Sequence, residues 1–431
     1  MQIENVYIET YGCSANQNNA EIISGILRQA GLFIVKNIKI ADFAILNTCI
    51  VKGPTKEKML SRVKEIGKKF GARFIVSGCM PDVFSKEILQ IAPNSSFVGS
   101  HHVKNIANAV KKISQGKKVF MTGKINEPKL CLPKIPSSSV IGITQILEGC
   151  VGKCTYCITR QAKGELFSYP KEEIIKNIKN DLANGCKEIW LTSQDNAAYG
   201  LESGKYMLPV LLKEILSLKG KFYVRLGMMN PNHVLPFLDE LIECYRDEKF
   251  FKFLHIPIQS GSNKVLKEMK RGYSKENFTK IVNSFRKEFP TITVSTDIIV
   301  AYPTESKDDF DETVELIKKI RPQILNLSRF WPMKNTEASG LKRINAKESK
   351  KRAKVISELH LGICKEESAK MLGWNGKAIV DKHGFEDTFL ARNKDYNLIA
   401  VNGKNILGKF VDVEIVKTSP HYLYGKIVED N

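Results

Sequence analysis

The chain has 431 residues, of which 43% are apolar and 26% charged. That balance is ordinary for a soluble globular protein with two or three cores, and no run of about eighteen apolar residues occurs, which excludes a helical membrane span. Lys and Arg number 66 against 46 Asp and Glu, a formal net charge of +20; an excess of that size favours a polyanionic partner, a Lys-rich solvated surface being the plainer alternative.

Residues 1–125 alternate strand and helix. VYIET, FAIL and RFIVS read as short buried strands, with helical patterns NNAEIISGILRQA and PTKEKMLSRVKEI between them, an order that predicts a parallel α/β domain. The opening MQIENVYIETYGC has no basic region followed by an apolar core, so no secretory signal is expected. A cytoplasmic location is the expectation, with the ten cysteines reduced. Residues 126–140 are rich in Pro, Lys and Ser and read as a linker. From residue 141 to 340, ITQIL, KEIWLT, KFYVRLG, FKFLHIPI, TITVSTDIIV and QILNLSRF are six strands separated by helical patterns. Six such units predict a partial, TIM-like (β/α)6 barrel, since eight need about 250 residues. Residues 341–369 form a basic, amphipathic connecting helix. Residues 370–431 hold five short strands broken by Gly, Asn and Pro, the pattern of a small antiparallel, OB-like barrel. The basic excess is uneven: residues 51–124 hold 15 Lys and Arg against 4 acids, and residues 341–370 hold 9 against 4. Two separate basic stretches suit a long nucleic-acid ligand.

Three cysteines crowd EGCVGKCTYCITR, where Cys150, Cys154 and Cys157 read C-x3-C-x2-C. Short gaps suggest ligands of one metal centre. A structural zinc site needs a fourth ligand and commonly pairs two C-x2-C halves, and no second half follows. An iron–sulfur cluster accepts thiolates at such spacings, and three ligands leave one iron open. The set follows the first barrel strand, at the end where barrel active sites are built. The loops TSQDNAAYG (192–200) and VAYPTES (300–306) follow two other strands and are candidates for cofactor contact, or plain turns.

Cys13, Cys49 and Cys79 lie 36 and 30 residues apart, yet each stands at or just beyond the end of a predicted strand: VYIETYGC, FAILNTC and RFIVSGC. Parallel strands bring those ends to one sheet edge, so three thiolates converge there, with Gly12 and Gly78 permitting close backbone approach. Three buried structural cysteines are the alternative. Cys131, Cys186, Cys244 and Cys364 lack such company and read as structural.

The spacing C-x3-C-x2-C, with Tyr156 before the third cysteine, is similar to that of the radical S-adenosylmethionine (SAM) enzymes. Two tri-cysteine sets in this order, followed by a small β-barrel, resemble the radical-SAM methylthiotransferases over essentially the whole chain. TYGCSANQNNAE, NTCIVKGPTKEKM, SGCMPDV, LTSQDNAAYG and HIPIQSGSNKVLKEMKRGY look like blocks of that family, and residues 370–431 resemble the RNA-binding TRAM domain. CTYCITR and RLGMMNP look most like the archaeal–eukaryotic branch, which acts on N6-threonylcarbamoyladenosine (t6A) beside the tRNA anticodon. Other branches act on isopentenyladenosine or on a ribosomal protein.

The resemblance implies a SAM-dependent transferase that converts a C2–H bond of adenine to C2–S–CH3. It implies two four-iron (4Fe-4S) clusters, held by Cys13, Cys49 and Cys79 and by Cys150, Cys154 and Cys157. One SAM would methylate a sulfur at the N-terminal cluster, and a second would be cleaved to a 5′-deoxyadenosyl radical. Tyr156, Gln194, Asp195, Gln259 and Asp297 are the expected cofactor contacts, the last two being equally suited to structural hydrogen bonds. The partners implied are tRNA, an electron donor of the flavodoxin or ferredoxin type and a sulfur source. Two departures stand out: Lys163-Gly164 where the family has Arg-Gly, and Ala301-Tyr302-Pro303-Thr304-Glu305-Ser306 where it has Gly-Phe-Pro-Gly-Glu-Thr.

Overall fold

In the computed structural model, residues 4–51, 53–386 and 388–428 are described. The N-terminal part is one parallel six-stranded sheet, in spatial order Phe33–Val35, Asn5–Thr10, Phe43–Thr48, Phe74–Gly78, Ser96–Gly99, Phe120–Met121. Strand residues alternate between its two faces. Phe43, Ile45 and Ile75 pack under helices Ser14–Gln29 and Ile106–Ser114, through Ile22, Leu27 and Val110. Ala44, Leu46 and Val76 pack under helices Gly53–Phe70 and Pro81–Ile91, through Val63 and Ile88.

Six further parallel strands follow: Ile141–Gln145, Glu188–Thr192, Tyr223–Leu226, Phe253–His255, Thr293–Val300 and Ile324–Arg329. They form two three-stranded ladders joined by a parallel bridge between Val224 and Phe250. The first and sixth strands do not pair among the described residues, so the barrel is partial. Its helices close over one large apolar core. Helix Ala346–Ala369, expected to be a connector, covers the barrel instead: Ile356 and Ile363 enter that core, and Arg352 pairs with buried Glu305 at 2.7 Å.

The last five strands form a closed barrel in the order Asn375–His383, Thr388–Asn393, Leu398–Asn402, Leu423–Val428, Phe410–Thr418. Four pairings are antiparallel, as expected, but closure is made by a parallel pair, Ile399 opposite Leu423. This small barrel packs against the six-stranded barrel at its strand starts. Ile379 and Tyr396 pack on Ile141, Phe251 and Phe253, at the strand starts. Lys252 N–H donates to Lys394 O at 2.8 Å, and Thr293 Oγ1 to Asp395 O at 2.5 Å. The segment expected as a linker has no regular structure but is packed: Ile135 N–H bonds Glu21 O at 3.0 Å, and Lys129 is 1% exposed.

Candidate active site

Register brings the scattered cysteines together. Thr10 lies opposite Asn47, and Thr48 opposite Gly78, so the strands ahead of Cys13, Cys49 and Cys79 end at one edge. Cys79 N–H donates to Thr48 O at 3.1 Å. Gly12 (φ +115°) and Gly78 (φ +87°) are needed here: a Cβ on Gly12 would stand 2.8 Å from Cys49 Cβ, and one on Gly78 2.4 Å from Thr48 O. Burial pushes the Cys79 thiol up to about 12; Lys163 opposes the shift, while Cys13 and Cys49 add to it. Burial also raises Cys49, with Cys13 adding. The three sulfurs therefore share one electrostatic environment. Cys13 precedes the helix Ser14–Gln29, whose N-terminus favours anionic ligands, and Asn47 Oδ1 at this edge is buried without a hydrogen-bond partner.

Cys150, Cys154 and Cys157 lie on one loop between strand Leu147–Glu148 and helix Thr159–Lys163. Gly152 N–H donates to Cys150 Sγ at 3.2 Å. Burial pushes Cys150 up to about 12, with Asp195 adding and the Gly152 N–H opposing; burial raises Cys157 against a hydrogen bond from Thr159. Arg271 donates to Cys154 Sγ at 2.9 Å, and is held by Tyr273 Oη at 2.7 Å and Asn230 Oδ1 at 2.8 Å. Among the described residues no three His, Cys, Asp or Glu side chains close on a single ion. Both sets are all-sulfur, and a four-iron cluster takes each thiolate on a different iron, so its ligands stand around a cube rather than on a point. The donor chemistry fits such clusters.

A cavity of about 500 Å³ reaches from the barrel set to the residues that follow Cys49. Cys157 and Tyr156 line it from the barrel loop, and Val51 and Gly53, just after Cys49, from the N-terminal sheet. Gln259 and Asp297 also line it. Asp297 Oδ2 pairs with His255 Nε2 at 2.8 Å, and Gln259 holds a left-handed φ of 74° while its N–H bonds Asp297 O at 2.8 Å. Strain of that kind collects at functional sites. Ala301, in the second of the departing motifs, lines the same cavity, and its loop ends at the Ser306 capping box of helix Lys307–Ile320.

Gln194 and Asp195 are not among the lining residues. Gln194 Oε1 accepts the Gly149 N–H at 2.9 Å, one residue before Cys150. Both Asp195 oxygens are engaged: Oδ1 accepts from Ala197 and Asn230 N–H, and Oδ2 pairs with His233 at 2.8 Å. Gln194 thus ties its strand end to the Cys150 loop, whereas Asp195 ties its own turn to the segment 230–233. Of the four cysteines read as structural, Cys186, Cys244 and Cys364 are buried, whereas Cys131 is exposed.

Between the two cysteine sets lies a buried ionic cluster. Glu148 Oε1 accepts from Lys129 at 2.8 Å and from Lys163 at 2.9 Å, and all three side chains are 3% exposed or less. Burial opposes the charge on Glu148, but Lys129 and Lys163 outweigh it and hold the carboxyl well below the usual range. Burial also opposes the charge on Lys163, which Glu148, Cys79 and Cys13 nevertheless stabilise. Arg271, Lys129 and Glu148 were not singled out from the sequence. Glu148 adjoins the cysteine loop and Arg271 stands in the motif MKRGY, but Lys129 carried no signal of its own.

Family models match along the chain: Uncharacterized protein family UPF0004 at residues 5–99, the Radical SAM superfamily at 144–317 and the TRAM domain at 375–428. A probable threonylcarbamoyladenosine tRNA methylthiotransferase of Methanothermobacter thermautotrophicus is 38% identical over 419 residues, 97% of this chain and 98% of that one. One from Pyrococcus horikoshii is 39% identical over 98% of this chain and 99% of its own length. The human threonylcarbamoyladenosine tRNA methylthiotransferase is 31% identical over 99% of this chain and 75% of its own length. Among solved structures, the radical SAM methyltransferase TsrM of Kitasatospora setae, with cobalamin and an iron–sulfur cluster bound, superposes with a TM-score of 0.59 at 11% identity, over 79% of this chain and 77% of that one, a likeness of fold. With relatives of this identity aligned end to end, the chain belongs to the threonylcarbamoyladenosine tRNA methylthiotransferase family of radical SAM proteins.

Proposed function

We propose that this protein methylthiolates C2 of N6-threonylcarbamoyladenosine in tRNA. The observation that carries the reading is the cavity bounded by Cys157 on one side and by the residues after Cys49 on the other. In this reading Cys150, Cys154 and Cys157 hold the SAM-binding four-iron cluster, and Cys13, Cys49 and Cys79 hold the second. The clusters supply a low-potential electron, an anchorage for SAM and a docking place for the sulfur to be transferred. The division of labour follows from the chemistry: an adenine C2–H is not acidic enough for a side chain to remove near pH 7, whereas hydrogen-atom abstraction is feasible.

The protein's own residues orient and enclose. Arg271 fixes the Cys154 sulfur, Gln194 braces the Cys150 loop, Asp195 holds the Asn230 turn that in turn holds Arg271, and Tyr156, Gln259 and Asp297 line the chamber where cofactor and nucleoside meet. Residues 1–125 serve the second cluster, 141–340 the radical chemistry and 370–431 tRNA binding, joined by the packed segment 126–140 and the helical segment 341–369. The lysines of the two basic stretches carry phosphate contacts. Turnover draws electrons from a flavodoxin- or ferredoxin-type donor and sulfur from a separate source. No helix among the described residues is long and apolar enough to cross a membrane, and a tRNA substrate supports the reading of a cytoplasmic enzyme.

The test supplies reconstituted protein, SAM, reductant and sulfide with tRNA bearing either threonylcarbamoyladenosine or isopentenyladenosine, followed by mass spectrometry of the nucleosides. Replacement of hydrogen by a methylthio group on the first nucleoside alone is expected. Modification of the isopentenyl nucleoside alone, or of neither, contradicts the proposal.

A further inference from the structure

The threonylcarbamoyl group differs from other adenine substituents in one respect that a protein can read strongly: it ends in a carboxylate. An isopentenyl group is a hydrocarbon, and unmodified adenosine has neither. A site that selects this nucleoside therefore needs a cation placed within the cavity rather than on the phosphate-binding surface.

The cavity has two basic lining residues, Arg329 and Arg343, and one acidic one, Asp297, which is already paired with His255. Arg343 makes no ion pair or hydrogen bond with another described residue; its guanidinium lies over the ring of Trp331, 5.2 Å from the centroid. A cation held over an indole face keeps its N–H donors free, and a guanidinium so placed suits bidentate capture of a carboxylate. Trp331 is itself held in place. Its ring lies against Gly53, where a Cβ would come within 2.1 Å, yet 37% of the residue stays exposed. An exposed, pinned indole is a stacking platform for an unpaired base. Gly53 and Arg343 lie near the starts of the first and second basic stretches, so this rim lies where a phosphate backbone held by both would present a nucleoside to the cavity.

We propose that Trp331 and Arg343 form the subsite that receives the substrate adenosine, with Arg343 reading the carboxylate of its threonylcarbamoyl group. The proposal rests on the tRNA reading above. It makes Arg343 a specificity-determining residue and not part of the SAM site.

The test uses the full chain with both clusters and two anticodon stem-loops. One carries N6-threonylcarbamoyladenosine, and the other the same nucleoside with the carboxylate as its methyl ester. Binding is measured at fixed ionic strength with S-adenosylhomocysteine present, so that no turnover occurs. The native protein should prefer the acid over the ester by about tenfold, the effect of one charge-assisted contact. Arg343→Gln should abolish that preference while leaving ester affinity and RNA-independent SAM cleavage unchanged. Arg343→Lys, which keeps the charge without the fork, should restore part of it. Three results overturn the proposal: equal loss of both stem-loops, which marks a phosphate contact; loss of SAM cleavage, which assigns the arginine to SAM; or an undiminished preference. Native protein that binds the acid stem-loop tightly but never methylthiolates it would instead overturn the substrate reading on which the proposal rests.

Discussion

Glu148 balances two buried ammonium groups with one carboxylate, immediately ahead of the barrel cysteines. Breaking such a cluster leaves charge uncompensated in the interior. Glu148→Gln should therefore cost about 3 kcal/mol or more, read as a lower midpoint in urea denaturation; an unchanged midpoint would show that water reaches the lysines. At Arg271 the charge acts on the cluster loop itself. A cation 2.9 Å from the Cys154 sulfur favours the more negative, reduced state. Arg271→Gln should shift the midpoint potential of the barrel cluster to more negative values, measured by electron paramagnetic resonance titration; a shift in the other direction would contradict this role. The six cysteines were legible in the sequence for two reasons: one set is tightly spaced, and the other stands at three strand ends. The Lys129–Glu148–Lys163 cluster was not, because its members lie 19 and 15 residues apart and an isolated buried lysine has the same sequence signature as an exposed one.

All six barrel strands and all five strands of the C-terminal barrel were legible from hydrophobic pattern and turn residues. Phe33–Val35, Ser96–Gly99 and Phe120–Met121 were missed, being too short to carry a period. The docking of the C-terminal barrel was also missed, since pattern within an element says nothing about which end of another it covers. That docking buries a set of charges: Glu188 sits below Trp190, with Asp381, Arg392 and Arg225 around it. Burial, then Asp381, pushes the Glu188 carboxyl up to about 7, against the pull of Arg392. A carboxyl raised in the folded state contributes stability that is present below its unfolded value near 4.5 and lost as pH rises through 7. Glu188→Gln, which mimics the protonated acid, should gain in melting temperature over the native protein between about pH 4.5 and pH 7, with the gap levelling off above that; a constant gap over this range would mean that Glu188 does not titrate there. The same interface makes removal of residues 370–431 a structural lesion, because it would uncover Phe251, Phe253 and Ile141.

On the scale of the whole molecule, the N-terminal sheet edge and the barrel mouth face one cavity, with basic stretches on either side and the C-terminal barrel at the far end. Phosphate contacts on this scale release counterions, so tRNA affinity should fall steeply as salt rises; a flat salt dependence in a filter-binding series would remove the basic stretches from the interface. The central claim is that two cysteine sets, one at the N-terminal sheet edge and one on the barrel loop, perform different parts of one reaction. Cys49→Ala and Cys154→Ala separate them when 5′-deoxyadenosine and methylthiolated nucleoside are quantified in the same reactions with tRNA bearing N6-threonylcarbamoyladenosine. Cys49→Ala should still form 5′-deoxyadenosine but no methylthiolated nucleoside, and Cys154→Ala should form neither. Methylthiolated product at the native rate from Cys49→Ala would make the N-terminal cysteines structural and contradict the two-cluster account.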